Sequence, residues 1–318
     1  MIQRLEKNRL STTVSLGFHD GAHDAKKIQG LVDNLKPRVY VAERADLLET
    51  ERKGRITAIN KILGQCRSNL GARAWLLKEF EDEHRGRKVS SFDSEEMNVI
   101  ISGRRLWLHY VDGYTQEEID LFTRTSVEQT IKEILKHLSQ GNPQLAIDTI
   151  EGEFRHANSM LITRNNRAVL GFELLLEELP ELYPRILGAP GEISILARYG
   201  TAHQHLVPML NEHGFKALAV LDSDCKSHLM ELAILLSANP TMPLSEEQKI
   251  MLLFDKVYEY VYLLDGNQME EEKYACMVRA AYEHIGPQRF FEMLRTLQTQ
   301  ASTPEIFEHM LFEELRKL

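Results

Sequence analysis

Two stretches of the chain combine side chains able to move protons or hold a metal. The first is Val14-Ser15-Leu16-Gly17-Phe18-His19-Asp20-Gly21-Ala22-His23, followed after an amphipathic segment by Val39-Tyr40-Val41-Ala42-Glu43. The second is Ile193-Ser194-Ile195-Leu196-Ala197-Arg198-Tyr199-Gly200-Thr201-Ala202-His203, followed by Ala217-Leu218-Ala219-Val220-Leu221-Asp222. Both read strand, Gly/His turn, helix, strand, acid. Imidazole and carboxylate together ligate divalent transition metals or exchange protons near neutral pH. A helix start disfavours imidazolium, so His19, His23 and His203 are expected to stay neutral, and Glu43 or Asp222 would offset the repulsion a bound cation meets there. Arg164 and Arg167, in Leu161-Ile162-Thr163-Arg164-Asn165-Asn166-Arg167, bring positive charge for an oxyanion or carboxylate.

Each residue also has a plainer use. Glu43 can pair with Arg44 or Arg38 at a sheet edge, and Asp222 with Asp224 can cap a helix near Ser227, which is the stronger reading of Asp222. Asp93, in Ser91-Phe92-Asp93-Ser94, stands either at the rim of a sheet or as a helix cap. Cys225 lies near the same rim without a Cys/His signature around it.

The elements that must position these groups are legible from periodicity. Strands are expected at Thr13 to Phe18, Arg38 to Ala42, Lys88 to Asp93, Ile193 to Ala197 and Phe215 to Leu221, with Arg105 to Val111 as a weaker candidate. Ile28, Leu31, Val32 and Leu35 recur at helical spacing between the first two. Helix and strand alternate, so the expected fold is α/β with a mostly parallel central sheet flanked by helices. Parallel strands joined by helices place every strand-to-helix turn at one carboxyl edge, where open α/β sheets bind ligands. A helical insertion is expected at about 115–187, broken near Gly141-Asn142-Pro143, and an all-helical extension at 241–318, after the turn-rich Asn239-Pro240-Thr241-Met242-Pro243. Ser245 with Gln248 reads as a capping box, and Thr303-Pro304 as a helix start.

Composition narrows the classes. The 318 residues carry 38 Lys and Arg against 47 Asp and Glu, a net charge of −9. That sign opposes phosphate backbones and anionic lipid, so neither a nucleic-acid nor a membrane-surface partner is expected. No run of apolar residues reaches the length of a membrane span, and Met1 to Leu10 is charged throughout, so a cytoplasmic protein, or an effector secreted without a cleavable signal, is the expectation. Cys66, Cys225 and Cys276 are scattered, which reads as free thiols. The tail from 245 onward holds 8 basic and 14 acidic residues. That excess makes it a candidate protein-binding surface or a cover for the sheet.

The run Leu16-Gly17-Phe18-His19-Asp20, then Pro37-Arg38-Val39-Tyr40-Val41-Ala42-Glu43, then Thr163-Arg164-Asn165, then Gly200-Thr201-Ala202-His203, resembles the EreA/ChaN-like superfamily: erythromycin esterases, haem-binding ChaN lipoproteins and TraB/Tiki proteins. The resemblance spans about 210 residues in scattered blocks. It implies paired Gly-x-x-His turns, a glutamate closing the second strand and an arginine from the helical region, gathered in one cleft. His19, Glu43, Arg164 and His203 match those positions. The first turn, Gly17-Phe18-His19, is one residue short of the pattern, and Thr163 stands where an acid usually precedes the arginine. The function implied is a hydrolase acting on a small molecule or peptide. In it Glu43 is ligand or base, His19 and His203 are ligands or proton carriers, Arg164 stabilises charge, and a divalent metal is held by His19, Glu43, His203 and Asp222. The alternatives are a cleft holding haem or another small ligand, with a histidine or Tyr199 as axial ligand and His23, Arg167 and Asp93 around it, and a bacterial effector or interaction scaffold.

Overall fold

The computed structural model describes residues 5–17, 21–44, 47–68, 96, 99, 106–123, 127–221, 227–264 and 271–318, of which 21–26, 66–68, 121–123, 127–128 and 271–272 are described by their backbone alone. The strand expected at Lys88 to Asp93 lies outside them. The chain divides into two compact units: Met1–Asp120 with Thr163–Asp222, and Leu121–Ile162 with Ser223–Leu318.

The first unit is built on five parallel strands in the order β3-β2-β4-β1-β5: β1 Leu10–Gly17, β2 Val39–Ala42, β3 Trp107–Tyr110, β4 Ile193–Gly200 and β5 Lys216–Leu221. The weaker sequence candidate, Arg105 to Val111, thus contains a true strand. Successive residues of a strand point to opposite faces; in β1 to β4 both faces are largely buried, whereas β5, at the edge, exposes Leu218 and Leu221. Leu10, Val14 and Leu16 of β1 join Val39 and Val41 of β2 and Ile193, Ile195, Ala197 and Tyr199 of β4 in one core. Tyr40 and Ala42 of β2, Leu108 and Tyr110 of β3 and Leu196 of β4 enter another. That second core is completed by helix α1, Gly21–Leu35, through Ile28 and Val32, and by α2, Glu49–Ser68, through Ile56, Ile59 and Leu63.

Three more helices follow β3: α3 Gln116–Thr123, α4 Val127–Ser139 and the long α5 Pro143–Leu182. Gly141, at φ 73°, turns the chain before α5, and Pro143 opens the helix where its missing N–H costs nothing. The later turns of α5 cover the first core with Ala168, Val169, Phe172, Leu175, Leu176 and Leu179, spaced at three and four. Burial of each large side chain contributes roughly 1.5–3 kcal/mol. Gly171 lies against the chain leaving β3: a Cβ there would fall 1.9 Å from the Val111 carbonyl oxygen, so only glycine allows the approach.

A buried ionic clamp fixes α2 to α5. Arg52, 1% exposed, donates at 2.7 Å to both carboxylate oxygens of Glu178 and at 2.9 Å to the Tyr110 carbonyl. Glu49 accepts from its other edge at 3.2 Å. After β4 come the short helix α6, Leu206–Glu212, and β5.

The second unit is helical. Ile131, Ile134, Leu135 and Leu138 of α4 and Ile147, Ile150 and Phe154 of α5 share a core with α7 His228–Ala238, α8 Glu246–Leu264, α9 Glu271–Gln300 and α10 Pro304–Leu315. The capping box is present: Gln248 N–H donates to Ser245 Oγ at 3.2 Å, and Ser245 N–H to Gln248 Oε1 at 2.8 Å. Thr303 caps α10, with Pro304 in its first turn. The expected boundaries are corrected here. The helical block at 115–187 divides between Ile162 and Thr163, and the helical unit resumes at Ser223 rather than at 241. The reason is packing: Leu232, Ala233 and Leu236 of α7 bury into the helical core, so the turn-rich 239–243 stretch joins two helices of one unit. Cys276 is disulfide-bonded, with a partner whose side chain lies outside the described residues, which corrects the expectation of free thiols.

Candidate functional site

Two loops leave the carboxyl edge of the sheet beside each other, and α5 meets them there. Ala42 of β2 is in register with Arg198 of β4, so Glu43 departs next to the end of β4. There the Gly200 N–H donates to Glu43 Oε2 at 3.3 Å. The chain then winds through a 3-10 turn, Thr201–His205, which buries His203. His203 Nε2 lies 2.9 Å from Glu43 Oε1, and the same oxygen accepts from Arg164 Nη2. Arg164 and Asn165 are consecutive residues of α5, and Asn165 Oδ1 sits 2.6 Å from His203 Nδ1. Two side chains, from α5 and from the turn after β4, thereby share one carboxylate oxygen, and Asn165 holds the far side of the ring. Glu43 and His203 are almost closed to solvent, at 6% and 4% side-chain exposure, while Arg164 retains 27% and is the open side of the cluster.

The hydrogen bonds dictate where a proton must lie. If Asn165 presents its carbonyl to Nδ1, that nitrogen carries hydrogen; if the amide is turned over, Nδ1 accepts. In the first case the Glu43 oxygen and His203 Nε2 would be two acceptors facing each other at 2.9 Å, so the line needs a further proton; in the second Nε2 carries the hydrogen itself and donates it to Glu43.

A second carboxylate lies behind the first. Asp112 follows β3 and is 1% exposed; Tyr199 donates its hydroxyl to Asp112 Oδ1 at 2.9 Å. Burial, then the nearby Glu43 charge, pushes Asp112 up to about 7, against the opposing pull of the Tyr199 hydroxyl and Arg164. Burial and the Asp112 charge raise the Tyr199 and Tyr114 phenols far above their ordinary value. Burial pulls the Arg164 guanidinium down, but Glu43, Tyr114 and Asp112 more than reverse it, so it stays charged. Three buried donors, Arg164 Nε, Asn165 Nδ2 and Thr201 Oγ1, have no hydrogen-bond partner among the described residues. Orphaned donors at this density mark a place for water or for ligand oxygens.

Of the residues expected from sequence, Glu43, Arg164 and His203 meet. His19, Asp93 and Asp222 lie outside the described residues, and of His23 only the backbone, in α1, is described. β1 ends with Gly17 in register with Gly200, the residue that leads into the turn bearing His203. Arg167 is not at the cluster's carboxylate: it pairs with Glu118 at 2.9 Å. Tyr199 is unsuited to hold haem, because its buried hydroxyl is bonded to Asp112. Among the described residues no three His, Cys, Asp or Glu side chains converge, and the Glu43 and His203 donor atoms face each other at 2.9 Å; the other two expected metal ligands, His19 and Asp222, lie outside those residues. Sequence reasoning missed Asp112, Tyr114 and the role of Asn165. Asp112 closes the strand that was rated weak, and Asn165 sits within the Thr163-Arg164-Asn165 run itself.

Fold and site together define an open parallel α/β protein with a Glu–His–Arg cluster at the carboxyl edge of its sheet. No family model, curated protein or solved structure matches the chain.

Proposed function

We propose that the chain is a hydrolase, of the kind its resemblance to the EreA/ChaN-like superfamily implies, acting on a carbonyl or related electrophilic centre of a small molecule or peptide. The observation that carries this reading is the shared Glu43 oxygen, reached by His203 Nε2 at 2.9 Å and by Arg164. A substrate entering from the Arg164 side draws the guanidinium off Glu43 and onto its own oxygen. Glu43, released from that ion pair, takes a proton from water as the hydroxide adds to the carbonyl, and Arg164 holds the developing oxyanion. His203 passes its Nε2 proton to the leaving group and is reprotonated by Glu43, which returns both residues to their starting states. Asn165 positions the ring through Nδ1, as second partners of catalytic histidines do.

The test is a panel of activated esters and amides with the unaltered chain, Glu43→Gln and His203→Asn. The expected outcome is turnover by the former and a loss of about 10²–10⁴-fold in each variant, with both variants folded by circular dichroism. Equal turnover in all three sinks the proposal, as does a folded, unaltered chain inert across the panel. For its surroundings, no described helix is long and apolar enough to cross a membrane. The disulfide at Cys276 favours an oxidising compartment, hence secretion over residence in the cytoplasm. A protein partner for the acidic tail is a separate proposal, resting on its charge.

A further inference from the structure

The helical unit contains a cavity of about 550 Å³, within the range of small-ligand sites. Its walls are the starts of α7 and α8 and a break in α9. At Gly286 the backbone turns to φ 70°, ψ 160°, and Pro287 restarts the helix. Proline has no N–H, so the Glu283 carbonyl loses its helical partner, and the negative end of the first half of α9 lies at the cavity wall. Glu247 and Glu283 add two exposed carboxylates, and the Tyr282 ring and Met251 add an apolar floor. His228 packs edge-on against Tyr282, with ring centroids 5.3 Å apart, and its buried Nδ1 has no hydrogen-bond partner. Burial, then the Arg279 charge, lowers the His228 imidazole, so it stands neutral, an acceptor rather than a cation.

Among the described residues no Lys or Arg lines the cavity. The nearby cation, Arg279, is engaged by Glu231 at 2.8 Å and by Glu283 at 3.1 Å. Ser245 and Gln248 satisfy each other in the capping box, and the Tyr282 hydroxyl donates to the Glu247 carbonyl at 3.4 Å. What faces the space is the Glu247 carboxylate, the unpartnered His228 Nδ1 and an aromatic surface, beside the neutral Ser245 hydroxyl and Gln248 amide. We infer that this cavity binds an organic cation with an apolar stem, an alkylammonium or alkylguanidinium group. The charged head would meet Glu247 and the broken end of α9, and the stem would lie on Tyr282 and Met251.

Free polyamine and a basic side chain of a peptide share this chemistry. Isothermal titration of the full chain with spermidine, agmatine and an N-acetyl-arginine amide tests the site, with glutarate as the anionic control. Saturable binding of at least one cation and none of glutarate is expected. Preference for spermidine or agmatine assigns a free polyamine, and preference for the capped arginine assigns a basic polypeptide. Glu247 is exposed, and its one bond to Tyr282 runs through its backbone carbonyl, so Glu247→Gln should fold normally and bind about tenfold more weakly, the loss of one charged contact. Glu247→Lys should abolish binding. Absence of binding by all three cations, or binding unchanged in a folded Glu247→Lys chain, overturns the inference.

Discussion

Replacing Glu178 by Gln removes the acceptor that neutralises Arg52 in the clamp joining α2 to α5. Burial alone would raise the Glu178 carboxyl; its contacts with His109 and Arg52 reverse this and hold it down to about 2, from an ordinary 4.5. His109 Nε2 is 3.3 Å away, but burial keeps that imidazole neutral, so the charge favouring the ionised carboxylate is Arg52's. At ~1.4 kcal/mol per pH unit the shift corresponds to about 3 kcal/mol of stability at neutral pH. The figure agrees with the roughly 3–5 kcal/mol cost of leaving one partner of a buried ion pair uncompensated. Because the folded value is depressed, the contribution is complete above about 4.5 and is lost as pH falls through about 2. Urea unfolding at pH 7, 5 and 3, followed through Trp107, which stacks on Tyr183 at 4.9 Å, reads the unit that contains the clamp. The expected gap between the unaltered chain and Glu178→Gln is about 3 kcal/mol at pH 7 and 5, narrowing at pH 3. A gap under ~1 kcal/mol at pH 7, or one that does not narrow on acidification, refutes the assignment of the clamp's energy to this ion pair.

Asp112 should behave in the opposite sense. Its folded value is raised to about 7, so the stability linked to its proton is complete below the ordinary 3.8 and declines as pH rises through 7; Asp112→Asn should flatten the fall in melting temperature between pH 5 and 8, and a parallel fall in both chains would contradict the buried-acid reading. Gly171→Ala drives a methyl group into the Val111 carbonyl, and denaturant unfolding should register a loss of about 3 kcal/mol or more; a loss below ~1 kcal/mol would show that α5 can lift from β3 without penalty.

Much of this architecture could be read from residue pattern because both faces of a parallel sheet demand apolar runs. Ile193 to Ala197 announced itself that way; Phe215 to Leu221 has the same apolar run although Leu218 and Leu221 are exposed at the edge of the sheet. β3 was harder, since Trp107-Leu108-His109-Tyr110 places a histidine inside a buried strand, and its burial beside Glu178 is a tertiary fact. Glu43 and His203 were legible from their matched strand-turn contexts, and Arg164 through the family resemblance. Their convergence on one oxygen was not, because it depends on the close approach of α5 that Gly171 permits. Asp112 gave no local signal: a lone aspartate after a short strand reads as a turn residue until burial and the Tyr199 hydroxyl change its chemistry. The unit boundaries failed for a related reason. α5 is one continuous helix in sequence, and only the identity of its packing neighbours divides it at Thr163.

The position of β1 between β4 and β5 governs how this chain reaches its native state. Ser15 and its neighbour Arg198 are 183 residues apart in sequence, so the first strand made has both of its lateral partners among the later ones. At ribosomal speeds of about 5–20 residues per second, β1 waits roughly 10–40 s before either emerges. The central ladder therefore closes late and over a long loop, a topology associated with slow folding. During synthesis, the nascent segment beginning at Leu10 is a natural client for a holdase chaperone, and shortening the polypeptide before residue 193 would strand it without a mate.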